Sequence, residues 1–192
     1  MDISARYDRA FFEKHLPWRA EYDLIADTID RFVDFSSVLD LGCGNGFLIA
    51  RFAERGKSVV GVDGSAHAVD SAPEHVAEKI RTMDLTRPLS IGRFDLVICT
   101  EVAEHLEERY ATTLVETIGA NASGTVFFTA ATPGQGGKHH VNEQPHRYWI
   151  DKFAQQRFEL DRSATVRVRR ALARKIRTVW WFTRNALILR KL

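Results

Sequence analysis

Residues 38–46 read VLDLGCGNG, an apolar run broken only by Asp40 that passes straight into glycines at 42, 44 and 46. In the FLIARFAERG that follows, Phe47, Ile49, Phe52 and Ala53 suit a helix, and Gly56 suits its stop. A strand, a glycine turn and a helix in this order fit a crossover unit of a parallel sheet. Backbone without Cβ atoms, beside the free N–H groups of a helix start, is what a nucleotide-like ligand needs in order to approach. The spacing is G-x-G-x-G with an acid two residues upstream, which departs from the G-x-G-x-x-G of dinucleotide-binding dehydrogenases.

The rest of the chain continues the alternation. SVVGVD reads as a second strand, residues 65–78 as helical or irregular, and KIRTMD as holding a short third strand. FDLVICT has the nearly continuous apolar run of a strand buried on both faces. A helix over 107–118 and a fifth strand, GTVFFTAA, come next. Residues 132–147, TPGQGGKHHVNEQPHR, have the composition of a long surface loop. A helix over 148–156, the strand FEL, a cationic helix and a last strand in NALILRK complete the pattern. Upstream, Tyr22, Ile25, Ile29 and Phe32 or Val33 recur at helical spacing within the first 35 residues.

With 192 residues and 45% hydrophobic content, one globular domain is expected. Its parts are a helical lid over 1–35, a ligand-binding core over 36–131 and an acceptor-side segment over 132–192. A charged fraction of 27% and a net charge of +2 exclude a disordered chain. Two cysteines, Cys43 and Cys99, make no disulfide framework or structural zinc motif, and they read as small packing residues that end neighbouring strands. Neither a signal-peptide pattern nor a membrane-spanning apolar run is present, so a cytoplasmic location is expected. The charge is uneven, with 11 Lys and Arg against 2 Asp and Glu from Arg157 onward. Arg167, Arg170, Arg174 and Arg177 at helical spacing predict one cationic helix face, opposite Val168, Leu172, Ile176 and Val179.

Asp63 lies 21 residues after Gly42 at the end of the second strand, where open α/β sheets set a carboxylate against ribose hydroxyls. Asp84, after the third strand, is placed to face an adenine amino group with Met83 beside the ring. Taken together, VLDLGCGNG, VVGVDGS, IRTMDL and FDLVICTEVAEHL resemble the four ordered motifs of the class I S-adenosylmethionine-dependent methyltransferases. That resemblance implies a Rossmann-like α/β fold, a seven-stranded, mostly parallel sheet with helices on both faces. It further implies S-adenosylmethionine, leaving as S-adenosylhomocysteine, at Asp40, Gly42, Cys43, Gly44, Asn45, Gly46, Asp63, Gly64, Met83, Asp84, Leu85, Thr100 and Glu101.

Methyl transfer to a hydroxyl needs an aligned acceptor and a proton acceptor. Four of the seven histidines fall in two segments, EVAEHL and GGKHHVNEQPHRYW. The expected catalytic residues are His140 or His105 as base, assisted by Glu101, Glu104 and His139. Tyr7, Phe11, Trp18, Arg19, His146 and Tyr148 are expected around the acceptor, a small molecule such as a sugar or natural product. The order E-x-x-E-H with a later histidine also resembles the metal-ligand pattern of small-RNA 2′-O-methyltransferases. That resemblance implies an alternative in which Glu101, Glu104, His105 and His140 hold a divalent metal and the basic helix contacts nucleic acid; the favoured reading has no metal. A non-catalytic, cofactor-binding regulatory subunit is the third reading. Oligomeric state is not legible.

Overall fold

A computed structural model of the protein describes residues 3–192. Seven strands form one sheet: β1 Ser37–Leu41, β2 Ser58–Asp63, β3 Ile80–Thr82, β4 Phe94–Thr100, β5 Ala122–Thr129, β6 Phe158–Leu160 and β7 Leu187–Lys191. Their order is β3-β2-β1-β4-β5-β7-β6, with β7 antiparallel to both of its neighbours and the pairings among the first five parallel. The Rossmann-like α/β architecture expected from the sequence is present.

Side chains alternate across a strand, so each central strand feeds two cores. Val38, Leu96, Ile98, Phe127 and Ile188 enter one cluster, while Leu39, Leu41, Val97, Phe128 and Leu189 enter the other. The first is closed by α3 (Arg19–Phe32), α4 (Phe47–Glu54) and α9 (Arg162–Ala173), through Ile25, Ile29, Leu48, Phe52, Val168 and Leu172. The second is closed by α7 (Ala111–Asn121) and α8 (His146–Gln155), through Leu114, Ile118, Trp149 and Phe153. Cys43 packs against the first cluster and Cys99 lies inside the second, so the sheet separates the two thiols. Short helices α1 (Ile3–Arg6) and α2 (Arg9–His15) precede α3, and α5 (His67–Ser71) and α6 (Glu74–Ala77) follow β2.

The C-terminal segment departs from the expected continuous cationic helix. α9 stops at Ala173, Arg174 is its cap, and Arg177 lies beyond it. Beyond the stop, the carboxylate of Glu21 in α3 accepts the backbone N–H groups of Arg177, Thr178 and Val179, each at 2.9 Å, and so fixes the turn that leads toward Trp181. Ile176 and Val179 are still buried, but they reach the core from this turn and not from a helix face. A short helix, α10 (Trp181–Asn185), occupies the start of the segment read as the last strand. Among the described residues no helix is long and apolar enough to cross a membrane.

Desolvation works to raise the Glu21 carboxyl, but the backbone donors of Thr178, Val179 and Arg177 outweigh it and hold the group below the usual carboxylate range. A group held low in the fold stabilises it above the unfolded-state pKa, and that contribution disappears as the pH falls. Glu21→Gln should therefore lower the unfolding free energy at pH 7 by roughly 1 kcal/mol, toward the low end for charged hydrogen bonds because the site is partly solvated. Denaturant melts should show the gap between the two proteins closing below about pH 4. A gap of equal size at low pH would refute the electrostatic account.

Candidate functional site

The C-terminal ends of β1, β2 and β4 open onto a cavity of about 1650 Å³. At the end of β1 the chain turns because the Val62 carbonyl accepts both the Gly42 N–H at 2.7 Å and the Cys43 N–H at 3.0 Å. Gly42 has a φ of +80°, and a Cβ there would run into Val102. Gly46, also left-handed at φ +66°, caps the start of α4 and supports the loop from behind, away from the cavity lining. The remaining expected ligand residues of this loop, Asp40, Gly42, Cys43, Gly44 and Asn45, all line the cavity.

Two carboxyl groups meet this loop. Asp63 accepts Gly44 N–H at 2.9 Å through Oδ2 and Ser65 N–H at 2.8 Å through Oδ1, which leaves each oxygen a free lone pair. Burial raises its pKa against the pull of those backbone donors. Asp40 is 1% exposed, its Oδ1 has no partner among the described residues, and burial together with the Asp63 charge pushes it up to about 8. A buried carboxyl oxygen without a donor, facing a cavity, is a place for a cationic or amino ligand group. Gly64, Met83, Asp84 and Leu85 continue the rim. Asp84 also forms its own turn, accepting Thr86 N–H at 2.9 Å and Thr86 Oγ1–H at 2.6 Å.

Thr100 and Glu101 line the cavity from the end of β4. Glu101 is left-handed at φ 54°, and its N–H is held by Thr129 Oγ1 at 3.0 Å. Its carboxylate accepts Asn185 Nδ2–H at 3.3 Å and Gln135 Nε2–H at 3.4 Å, and Asn185 also donates to Gln135 Oε1 at 2.9 Å. The sequence signals neither Asn185, which opens the strand-like NALILRK, nor Gln135, which lies among loop glycines. Burial raises the Glu101 carboxyl, and burial plus the Glu101 charge pushes Glu104 well above the usual range.

Beyond Glu101, the loop after β5 is fastened to the turn after β4. The Glu104 carbonyl accepts Val141 N–H at 2.8 Å and Asn142 N–H at 3.1 Å. This brings His140 to His105, with ring centroids 4.9 Å apart. Glu143 accepts Gly134 N–H, Gly136 N–H and the His140 Nδ1 contact, each at 2.8 Å, so one carboxylate organises the glycine-rich loop. Desolvation, then the neighbouring His140, lowers His105 to about 4.

The described N-terminal segment covers the cavity. Asn45 Nδ2–H donates to the Phe12 carbonyl at 3.2 Å and Ser65 Oγ–H to the Tyr7 carbonyl at 2.6 Å. Tyr7, Phe11 and Trp18 line the cavity as expected, together with His15. Besides Gly46, four expected site residues do not. His139, left-handed at φ 67°, does not line the cavity itself; its ring meets Tyr7 edge-on with centroids 6.3 Å apart, and its carbonyl lies 3.4 Å from His105 Nδ1. Arg19 pairs with Glu54 at 3.3 Å and lies over the Phe47 ring. His146 opens α8, whose buried face belongs to the second core, and Tyr148 points outward to Glu108 at 3.4 Å. No residue of α9 lines the cavity either.

Residues 39–118 match a family model described as a methyltransferase domain. Over 99 residues the chain is 33% identical to the ubiquinone biosynthesis O-methyltransferase of Methylococcus capsulatus, covering 47% of this chain and 41% of that protein. Over 102 residues it is 34% identical to the enzyme of the same name from an Azoarcus species, covering 48% and 42%. The chain thus spans less than half the length of these curated relatives. Among solved structures, magnesium protoporphyrin IX methyltransferase from Synechocystis PCC 6803 with bound SAH aligns with a TM-score of 0.64 at 18% identity, covering 91% of this chain and 83% of the other. An S-adenosylmethionine-dependent methyltransferase from Clostridium acetobutylicum aligns at 0.64 and 11% identity, covering 98% and 97%. At these identities the structural likenesses establish the fold.

The cover's attachment is testable without any ligand. Asn45→Ala removes one buried hydrogen bond to α2, a loss of about 1 kcal/mol. Amide hydrogen exchange in residues 9–15 should accelerate about fivefold, with β1 and β4 unchanged. Unchanged exchange in α2 would show that Asn45 does not secure the cover.

Proposed function

We propose, for a chain whose domain and fold are those of the class I S-adenosylmethionine-dependent methyltransferases, that it methylates a hydroxyl oxygen of a small molecule. The observation that carries this reading is the unpartnered, buried Asp40 oxygen beside the Asp63-held glycine loop, at one end of a cavity whose other end carries Glu104, His105 and His140. The fit to S-adenosylmethionine is chemical. Asp40 offers an acceptor for its amino group, and Asp63 keeps lone pairs for two ribose hydroxyls. Met83 and Leu85 give an apolar border for adenine. The bound cofactor supplies an electrophilic methyl on sulfur.

The chain's own residues would do the rest. Thr100 and Glu101 separate the cofactor end of the cavity from the histidine end. Tyr7, Phe11 and Trp18 exclude water and offer an aromatic wall to an apolar or ring-bearing acceptor. His105, neutral near pH 7 because burial holds it low, and His140 stand where a hydroxyl must lose its proton. The curated relatives named as ubiquinone O-methyltransferases support oxygen as the acceptor atom. No residue of α9 lines the cavity, so the RNA reading draws no support from that helix.

Calorimetric titration with S-adenosylhomocysteine should show one site per chain. Asp63→Ala should weaken it by roughly 1.5–3 kcal/mol, the usual worth of charged hydrogen bonds, or about 10- to 150-fold. Absence of binding to the unmodified protein would overturn the reading. In turnover with a hydroxylated aromatic acceptor, His140→Ala should depress kcat about 100-fold or more while leaving S-adenosylhomocysteine affinity within twofold. Equal losses of affinity and rate would remove His140 from the acceptor end.

A further inference from the structure

We propose that the exposed side of α9 and α10 is a docking surface for a membrane rich in anionic lipid headgroups, with Trp180 as the side chain that enters the headgroup layer. Residues 162–184 hold eight Lys and Arg and no Asp or Glu. All but Arg169, whose Nε–H donates to the Ala186 carbonyl at 2.7 Å, are exposed. None of the exposed seven makes an ion pair with a carboxylate among the described residues. The acids of the neighbouring α3 are engaged elsewhere: Asp27 and Asp30 pair with Arg51, Arg55 and Lys57, and Glu21 turns both oxygens to the backbone of residues 177–179.

Helical spacing gives this charge a common direction. Arg167, Arg170 and Arg174 recur at intervals of three and four, while the buried Ala164, Val168 and Leu172 hold the other side of α9 against the core. α10 packs against α9, and Arg184 lies four residues after Trp180, one helical turn along. Large apolar side chains stand exposed on the same segment, Val166 at 45% and Trp180 at 47%. An exposed tryptophan among unpaired cations fits the boundary between membrane and water, where the indole settles among headgroups and each nearby Lys or Arg adds attraction to anionic lipid.

The surface also adjoins the cavity. The Trp180 ring meets Trp181 with centroids 5.9 Å apart, and Trp181 meets Trp18 at 5.7 Å. Trp18 and Trp181 both line the cavity, so docking through Trp180 sets its aromatic side near the headgroups. A single-stranded nucleic acid suits these features less well. Such a strand stacks successive bases on several rings along a basic groove, whereas Trp180 is the one exposed ring of residues 162–184 and Trp181 turns inward.

The test is flotation of the full chain with vesicles of phosphatidylglycerol and phosphatidylcholine in equal parts, against pure phosphatidylcholine vesicles. Binding should appear with the anionic vesicles alone and disappear in high salt. Arg170→Gln combined with Arg174→Gln should weaken it about 30-fold. Arg81→Gln combined with Arg93→Gln, the same change in net charge at exposed positions outside this surface, should alter it by less than about twofold. Brominated lipid in the vesicles should quench the tryptophan emission of the unmodified chain, and Trp180→Phe should remove most of that quenching while keeping affinity within about threefold. S-adenosylhomocysteine affinity and circular dichroism melts, equal in all variants, show that each is folded and keep this surface separate from the methyl-transfer reading. No binding to anionic vesicles at low salt, binding indifferent to Arg170 and Arg174, or quenching that survives Trp180→Phe overturns the proposal. So does tighter binding to homopolymeric RNA than to the vesicles, which would reassign the surface to nucleic acid.

Discussion

No side chain fits between Gly42 and Val102. That close approach joins two loops that would otherwise diverge, one leaving β1 toward α4 and the other leaving β4. With Gly42 and Cys43 both hydrogen-bonded to the Val62 carbonyl, the ends of β1, β2 and β4 become one rigid rim. Asp40 and Asp63 stand on one side of it, and Glu101, Glu104 and His105 on the other. On the proposed methyl-transfer reading this contact divides a cofactor end of the cavity from an acceptor end, and a methyl at position 42 would push the two loops apart.

Electrostatics sharpens the division. Asp40, Asp63, Glu101 and Glu104 are four buried or nearly buried carboxyls, all raised above their ordinary range by burial. Taking so many carboxyls out of water is expensive, and it favours positively charged occupants. A sulfonium cofactor carrying an ammonium group is one. The aromatic cover of Tyr7, Phe11 and Trp18 raises the cost of leaving those charges unmet by limiting water.

Much of this was legible in the sequence because the signals are local. The glycine spacing, the Asp at the end of SVVGVD and the apolar FDLVICT each specify their own backbone, and all lie where they were expected. What escaped were side chains whose roles depend on contacts far along the chain. Glu21 fixes the turn over residues 177–179 through contacts over 150 residues away, so helical arginine spacing runs on past the end of α9 at Ala173. Asn185 reaches Glu101 across 84 positions, and nothing near Asn185 announces it. His139 and His140 are equivalent as letters, yet His140 lines the cavity and His139 does not. Arg19, His146 and Tyr148 lie off the cavity for the same reason: distant partners, Glu54, Asn185 and Glu108, hold them.

The carboxylate of Glu21 also has a bearing on how the molecule comes into being. Three of its hydrogen bonds await residues 177–179, and α3 packs against α9. During synthesis from the N-terminus, the long helix that carries the cover is therefore made early and docks late. Until then the Ile25 and Ile29 face of α3 lacks its α9 neighbour, and contacts of such long sequence separation are slow to form. The cover over the cavity is thus translated before the segment against which its supporting helix docks, and that docking is complete only once residues 177–179 have followed.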